Sequence, residues 1–416
     1  MKKNLIYVVI IFILISILGG LIYLFAKDNN SEISNNPGMM AEMPYSSQAS
    51  QNSGETTVTT VSGSIYTESD VFTTRDLTQI ADLSNATNYT VSSDNDIHIT
   101  EEGVYVLTGT ANNTTIYVEA GSEDKVQLVL DGVNITNDNF PFIYVKTADK
   151  VFITSTSTDN TLAVSDSFTK DGDTNTDGVI FSRSDITLNG TGTITINSTD
   201  NGIVGKDDVK ITGGTYNITA TSKTIEANDS ICIADGVFTL KAGTDGLHAE
   251  NDDDDSLGYV YISGGEFSIT ANDDAIHGQS VVQIDNGTIT INAVEGIEGT
   301  YIQINGGTIT INASDDGINA ANKSSSYQAT VEINDGNITI TMGAGDTDGV
   351  DSNGNIYVNG GTINVTGNST FDYDGTAEFN GGTIIVNGTQ VDTIPNQMMG
   401  GKGGNMGGFD GRTRGR

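Results

Sequence analysis

Nine times between residues 189 and 386 the chain writes one short pattern, a glycine-containing bend followed by alternating β-branched or aromatic residues. The copies read NGTGTITI, TGGTYNI, ADGVFTL, SGGEFSI, DNGTITI, NGGTITI, NDGNITI, NGGTINV and NGGTIIV. Aligned on Gly192, Gly214, Gly236, Gly265, Gly287, Gly307, Gly336, Gly361 and Gly382, they are 22, 22, 29, 22, 20, 29, 25 and 21 residues apart. Self-similarity at this period marks a solenoid, because each repeat is one unit that buries its apolar face only by stacking on the next. The expectation is an all-β, right-handed parallel β-helix with one coil per repeat and extra loops in the 29-residue coils.

Strand alternation sorts the side chains. Before each glycine bend, pairs such as Val209/Ile211, Ile231/Ile233, Val260/Ile262 and Val331/Ile333 are expected to point inward. The residues between the pairs, Lys210, Cys232, Tyr261, Gln283, Gln303, Glu332 and Tyr357, are expected to point outward, which makes Cys232 a surface thiol. After the bend, Tyr216/Ile218, Phe238/Leu240, Phe267/Ile269 and their equivalents fill a second inward column. Asn305, Asn334, Asn359 and Asn380 precede four bends and fit a structural asparagine ladder. GVYVLTGT, TTIYVEAG, KVQLVLDGVNIT and YVKTADKVFIT are strands at closer spacing that end in a less regular stretch around Asp166 to Asp177; they read as the first coils, which cap the open end.

A second bend follows each β-branched run and carries acids. The bends read TDGV, DNGI, SKTI, TDGL, DDAI, VEGI, DDGI, TDGV and YDGT, placing Asp177, Asn201, Lys223, Asp245, Asp274, Glu295, Asp316, Asp348 and Asp374 in one column. Asp200, Asp273, Asp315, Asp346 and Asp372 lie beside them, and Glu226, His248, His277, Glu298, Asn319 and Asp351 form the next outward column. Stacked carboxylates ~5 Å apart repel unless a cation or solvent intervenes. Calcium, with ~6–8 oxygen ligands, is the expected occupant, with Asp245, Asp273, Asp274, Glu295, Asp315, Asp316 and Asp348 as candidate ligands. A purely solvated acidic face is the alternative. Two imidazoles and a carboxylate at His248, His277 and Glu298 are also a donor set for zinc or copper, although one column provides no tetrahedral enclosure.

Overall charge narrows the partners. With Lys+Arg 18 against Asp+Glu 54, the net charge is -36, which repels nucleic-acid phosphates and excludes nucleic acid as an expected partner. One cysteine excludes an intramolecular disulfide framework. The 22 uncharged residues Leu5 to Ala26, preceded by Lys2 and Lys3, are long enough for a ~30 Å hydrocarbon core. They read as a single-pass signal-anchor (1–26) with the rest outside the cell; cleavage after the weak site at Ala26 would give a secreted chain. Residues 27–66 read as a flexible stalk, 67–395 as the β-helix, and 396–416 as a disordered Gly/Met/Arg tail.

The strings GVYVLTGT, KVQLVLDGVNIT, YVKTADKVFIT, GKDDVKITGG, NDDAIHG, EGIEGTYIQINGG and SDDGINAAN resemble the clostridial-type family of carbohydrate-binding β-helix proteins of the cell surface, over roughly residues 66 to 390. That resemblance implies a polysaccharide-lyase-like fold, bound calcium, and cellulose or acidic, pectin-like glycans as partners. Asp245, Asp273, Asp274, Glu295, Asp315, Asp316 and Asp348 match the family's acidic bends, while Asn201 and Lys223 depart from them. The resulting expectation is a noncatalytic, calcium-dependent binder of acidic polysaccharide, with His248, His277, Glu298, Tyr261 and Tyr357 on the ligand face. A calcium-assisted lyase using Lys223 as base, or a passive adhesin or scaffold, are the alternatives.

Overall fold

The computed structural model describes residues 63–344 and 347–396. The expected membrane anchor, nearly all of the stalk and of the C-terminal tail, and Asp346 lie outside the described residues. Among the described residues no helix is long and apolar enough to cross a membrane.

The chain winds as a parallel β-solenoid, and all but the last strand pairing are parallel. Three columns of strands stack in register. One holds Val209↔Ile231↔Val260↔Val282, and a second holds Tyr216↔Phe238↔Phe267↔Ile289. The third holds Ile225↔Leu247↔Ile276↔Ile297↔Ile318↔Val350. All of these residues are buried. Repeats of matching shape therefore fuse into one continuous core: Phe238 stacks on Phe267 at 4.6 Å and 5°, an arrangement that offset aromatic pairs favour.

Glycine turns the chain at each aligned bend, with one shift in position. Gly214, Gly236 and the six aligned glycines after them adopt positive φ, a backbone region that a Cβ opposes. In NGTGTITI it is Gly190, at φ 115, that turns the chain. Gly192 is required for a different reason, since a Cβ there would lie 1.8 Å from the Thr156 carbonyl oxygen. The asparagine ladder forms: Asn334, Asn359 and Asn380 each donate Nδ2 to the Oδ1 of the preceding asparagine at 2.8, 2.8 and 2.9 Å. The irregular stretch near Asp166 to Asp177 is an excursion between strands Asp159–Val164 and Gly178–Ser182, several coils from the open end.

Residues 63–79 form a strap that runs back along the outside of the stack, from its C-terminal half toward its beginning. Gln303 Nε2 donates to the Gly63 carbonyl (3.0 Å), and Gln283 exchanges two 2.8 Å hydrogen bonds with the Tyr66 backbone. Lys210 Nζ donates to the Val71 carbonyl (2.8 Å). Asp76 Oδ1 accepts from Thr187 Oγ1 (2.7 Å) and pairs with Lys150 Nζ (2.7 Å), and Gln79 Oε1 accepts the Gly190 N–H (2.8 Å). Residues 63–66, assigned by composition to the stalk, thus belong to the coil's outer layer.

The strap corrects two expectations. Cys232 and Tyr261 do stand in the outward column, but both are fully buried beneath Val71 and Phe72. Tyr261 donates its hydroxyl to Asp285 Oδ2 at 2.9 Å, so its ring offers no surface to a sugar. Cys232 is an inert thiol that burial pushes up to about 12. Alternation fixed the direction of these side chains, and a segment far away in sequence decided their exposure. Tyr357, beyond the strap, remains partly exposed.

Candidate functional site

The acidic bends and the outward column beside them form one strip along the third strand column. Registered pairs run Glu226↔His248↔His277↔Glu298↔Asn319↔Asp351↔Asp372. The bend residues have a structural task as well. Asn201 Oδ1 accepts the Lys223 N–H (3.0 Å), Asp245 Oδ1 the Asp274 N–H (3.2 Å), and Asp316 Oδ1 the Asp348 N–H (3.0 Å). One oxygen of each of these three side chains therefore satisfies an amide of the next coil, which asparagine does as well as aspartate. This accounts for Asn201.

Electrostatically the strip has two halves. In the first, Glu226, Asp245, Asp274 and Glu298 each meet a basic side chain. Lys223 and Lys206 approach Glu226 at 3.4 and 3.3 Å; burial opposes ionisation of Glu226, but the two ammonium groups outweigh it and hold the carboxyl below its usual range. His248 Nδ1 lies 2.9 Å from Asp245 and its Nε2 3.1 Å from Glu250. His277 Nδ1 lies 3.0 Å from Asp274 and 2.8 Å from Glu298. Burial alone would lower the His277 pKa, yet the hydrogen bonds to these carboxylates raise it to about 9. Glu298 also meets Lys323 at 3.0 Å; against burial, His277 and Lys323 bring it to about 2.

In the second half, Glu295, Asp316 and Asp351 are crowded mainly by other carboxylates. Glu295 is pushed to about 7 by burial and then by Asp274, Glu298 and Asp316, against a hydrogen bond from Asn319. Asp316 rises to about 6 through burial and its neighbours Asp315 and Asp348. Asp351 rises to about 7 through burial and Asp316, Asp348 and Asp372. Carboxyl oxygens of Asp348, Asp351 and Asp372 lie within 4.8 Å of one another. Next to them the buried Oδ1 of Asn319 has no hydrogen-bond partner, while its Nδ2 donates to Glu295 (3.1 Å). An oxygen-only donor set with an orphaned amide carbonyl fits a hard cation such as calcium.

The candidate residues are therefore not equivalent. Asp245 and Asp274 are engaged by histidines, Asp273 and Asp315 are exposed beside the strip, and Glu295, Asp316 and Asp348 line its second half. Asp351 and Asp372, which the sequence places only as neighbours of that column, complete the cluster. His248 and His277 stack at 4.6 Å with their planes 13° apart, so no single ion lies in the plane of both rings as imidazole ligation requires. Lys223 is held against Glu226 as an ion pair.

A family profile for carbohydrate-binding domain-containing proteins matches residues 93–301 and 293–394. A carbohydrate-binding domain-containing protein of Acetivibrio thermocellus is 41% identical over 132 residues, covering 31% of this chain; the match spans 46% of that relative's length. A solved structure of a polysaccharide lyase-like protein from C. thermocellum, a gadolinium derivative, aligns at 33% identity with a TM-score of 0.49, covering 54% of this chain and 96% of that one.

Proposed function

The chain belongs to the carbohydrate-binding domain-containing family, and from that premise we propose that it is a noncatalytic cell-surface protein that holds acidic polysaccharide through calcium. The coil in this reading is right-handed, the hand that parallel crossovers almost always take. The observation that carries the function is the clustering of Asp348, Asp351 and Asp372, with carboxyl oxygens within 4.8 Å of one another, beside Asp316 and Glu295. An ion there neutralises repelling carboxylates and keeps coordination positions for the carboxylates of a uronate chain. A bridging cation also reconciles a protein of net charge -36 with an anionic ligand.

Binding is favoured over lyase chemistry because a lyase needs a base free to take a proton beside the uronate carboxylate. Lys223, the expected candidate, is engaged by Glu226 at 3.4 Å. The reading places the anchor in the membrane and the solenoid outside the cell.

The test is sedimentation or calorimetric binding of polygalacturonate by the full chain, in calcium and then in chelator. Calcium-dependent binding lost in the Asp348→Asn/Asp351→Asn variant, with no unsaturated product, supports the proposal. Product formed by the wild type and lost in Lys223→Ala assigns a lyase instead. Absence of both binding and product across acidic and neutral glycans leaves a scaffold.

A further inference from the structure

The outward column that carries the acids changes character in the first coils. Followed back from Glu226, its register runs Val204, Phe181, Tyr144, Tyr117 and His98. His98 stacks on Tyr117 at 4.7 Å and 8°, and Tyr144 meets Phe181 edge-on at 5.6 Å. Phe140, from the bend before strand Ile143–Thr147, adds a ring 6.2 Å from Tyr117 and 5.8 Å from Tyr144.

Beside these rings lies a cavity of about 270 Å³ whose lining includes Tyr117, Phe140, Asn113, Asn139, Asp96 and Asp138. Its walls are fixed by hydrogen bonds. Asn113 Nδ2 donates to Asp138 Oδ2 (3.1 Å), and the Asp138 N–H donates back to Asn113 Oδ1 (2.8 Å). Asp96 Oδ1 accepts the Thr115 N–H (2.8 Å). The buried Asn137 donates Nδ2 to the carbonyls of Phe140 (3.1 Å) and Pro141 (3.2 Å), pinning the bend that carries Phe140. A cavity with walls held in this way needs little ordering when a ligand enters.

We propose that this cavity is a second glycan subsite, which takes one uncharged pyranose residue without calcium. The proposal rests on the carbohydrate-binding reading and locates a separate site for it. Aromatic side chains supply an apolar surface for the C–H face of a sugar ring, and planar amides and carboxylates supply donors and acceptors for its hydroxyls. The volume is just below the ~300 Å³ at which small-molecule pockets usually begin, which suits one ring rather than a chain. Charge selects against a uronate. The charged residues lining the cavity, Asp96 and Asp138, are both acidic; Lys146, whose Nζ lies 5.0 Å from the Tyr117 ring centroid, is engaged by Glu119 at 3.4 Å and Asp171 at 3.3 Å.

Tyr117 and Asp351 are nine rungs apart in one column, or about 43 Å at ~4.8 Å per rung. A mixed polysaccharide lying along this face is held at both places, and the second contact forms at high effective concentration.

The experiment is saturation-transfer NMR and calorimetry of the full chain with uncharged gluco-, manno- and xylo-oligosaccharides in chelator. The expected result is binding of at least one of them, weakened about tenfold or more by Phe140→Ala and abolished by Asn139→Trp, which fills the cavity from an exposed position. Asp351→Asn leaves this binding unchanged. Polygalacturonate binding in calcium, measured on the same variants, separates the two sites: its failure with neutral binding intact overturns the acidic-strip reading alone. No neutral oligosaccharide bound, or binding that survives both cavity variants, overturns the subsite.

Discussion

His277 and Glu298, in adjacent coils, form an ion pair 2.8 Å long in which each side chain is only 7% exposed. This pair marks the point where the strip passes from internally neutralised charges to carboxylates that repel one another. Its position explains why one continuous acidic column has both a structural end and an end suited to a cation.

Stability should follow the titration of this pair. His277 has a folded pKa of about 9, above the unfolded 6.5, so its contribution is complete below about pH 6.5 and lost as pH rises through 9. Glu298 has a folded pKa of about 2, below its ordinary 4.5, so its contribution is complete above about 4.5 and lost as pH falls toward 2. Thermal melts of the wild type in chelator should show both losses. His277→Ala should cost on the order of 3 kcal/mol, because it strands buried carboxylates, and should remove the alkaline loss.

Asp351→Asn should act in opposite directions with and without calcium. In chelator near pH 8 it relieves repulsion from Asp316, Asp348 and Asp372 and raises the melting temperature slightly. In calcium it lowers the ion-induced gain, which for the wild type is RT ln(1 + [L]/Kd), about 2.7 kcal/mol at one hundred times Kd. Melts at constant ionic strength separate this from general screening. An equal shift in both buffers contradicts the assigned cluster.

The strap predicts a chemical readout. Asp76 is fully buried and joins Lys150 and Thr187; burial opposes its charge, but these partners bring its pKa to about 2. Asp76→Ala should cost about 3 kcal/mol through the stranded Lys150 and loosen the layer over Cys232. Thiol-reagent labelling of the native protein should be slow in the wild type and accelerated in the variant. Equal rates would show that the strap does not control access to Cys232.

Asn334 donates to Asn305 and accepts from Asn359, each at 2.8 Å. Asn334→Ala should therefore lower stability by about 1–2 kcal/mol, the usual loss of two hydrogen bonds. Polyuronate binding should be unchanged, since the ladder stands at a different bend. Urea titration and the binding assay report the two effects.

The sequence by itself determined the coil, its register and the side on which each residue stands. It could do so because β-strand alternation and repeat stacking are local rules, and Glu226, His248, His277, Glu298, Asn319 and Asp351 fell in the column that those rules gave. Tertiary structure alone decided which members of a column remain available. Tyr261 and Tyr357 are equivalent by alternation, yet a strap more than 180 residues before Tyr261 covers it and leaves Tyr357 partly open. Asp245 and Asp351 both read as outward acids, yet His248 answers one while Asp316, Asp348 and Asp372 crowd the other. Exposure and charge balance depend on distances between segments remote in sequence, and periodicity does not encode those distances.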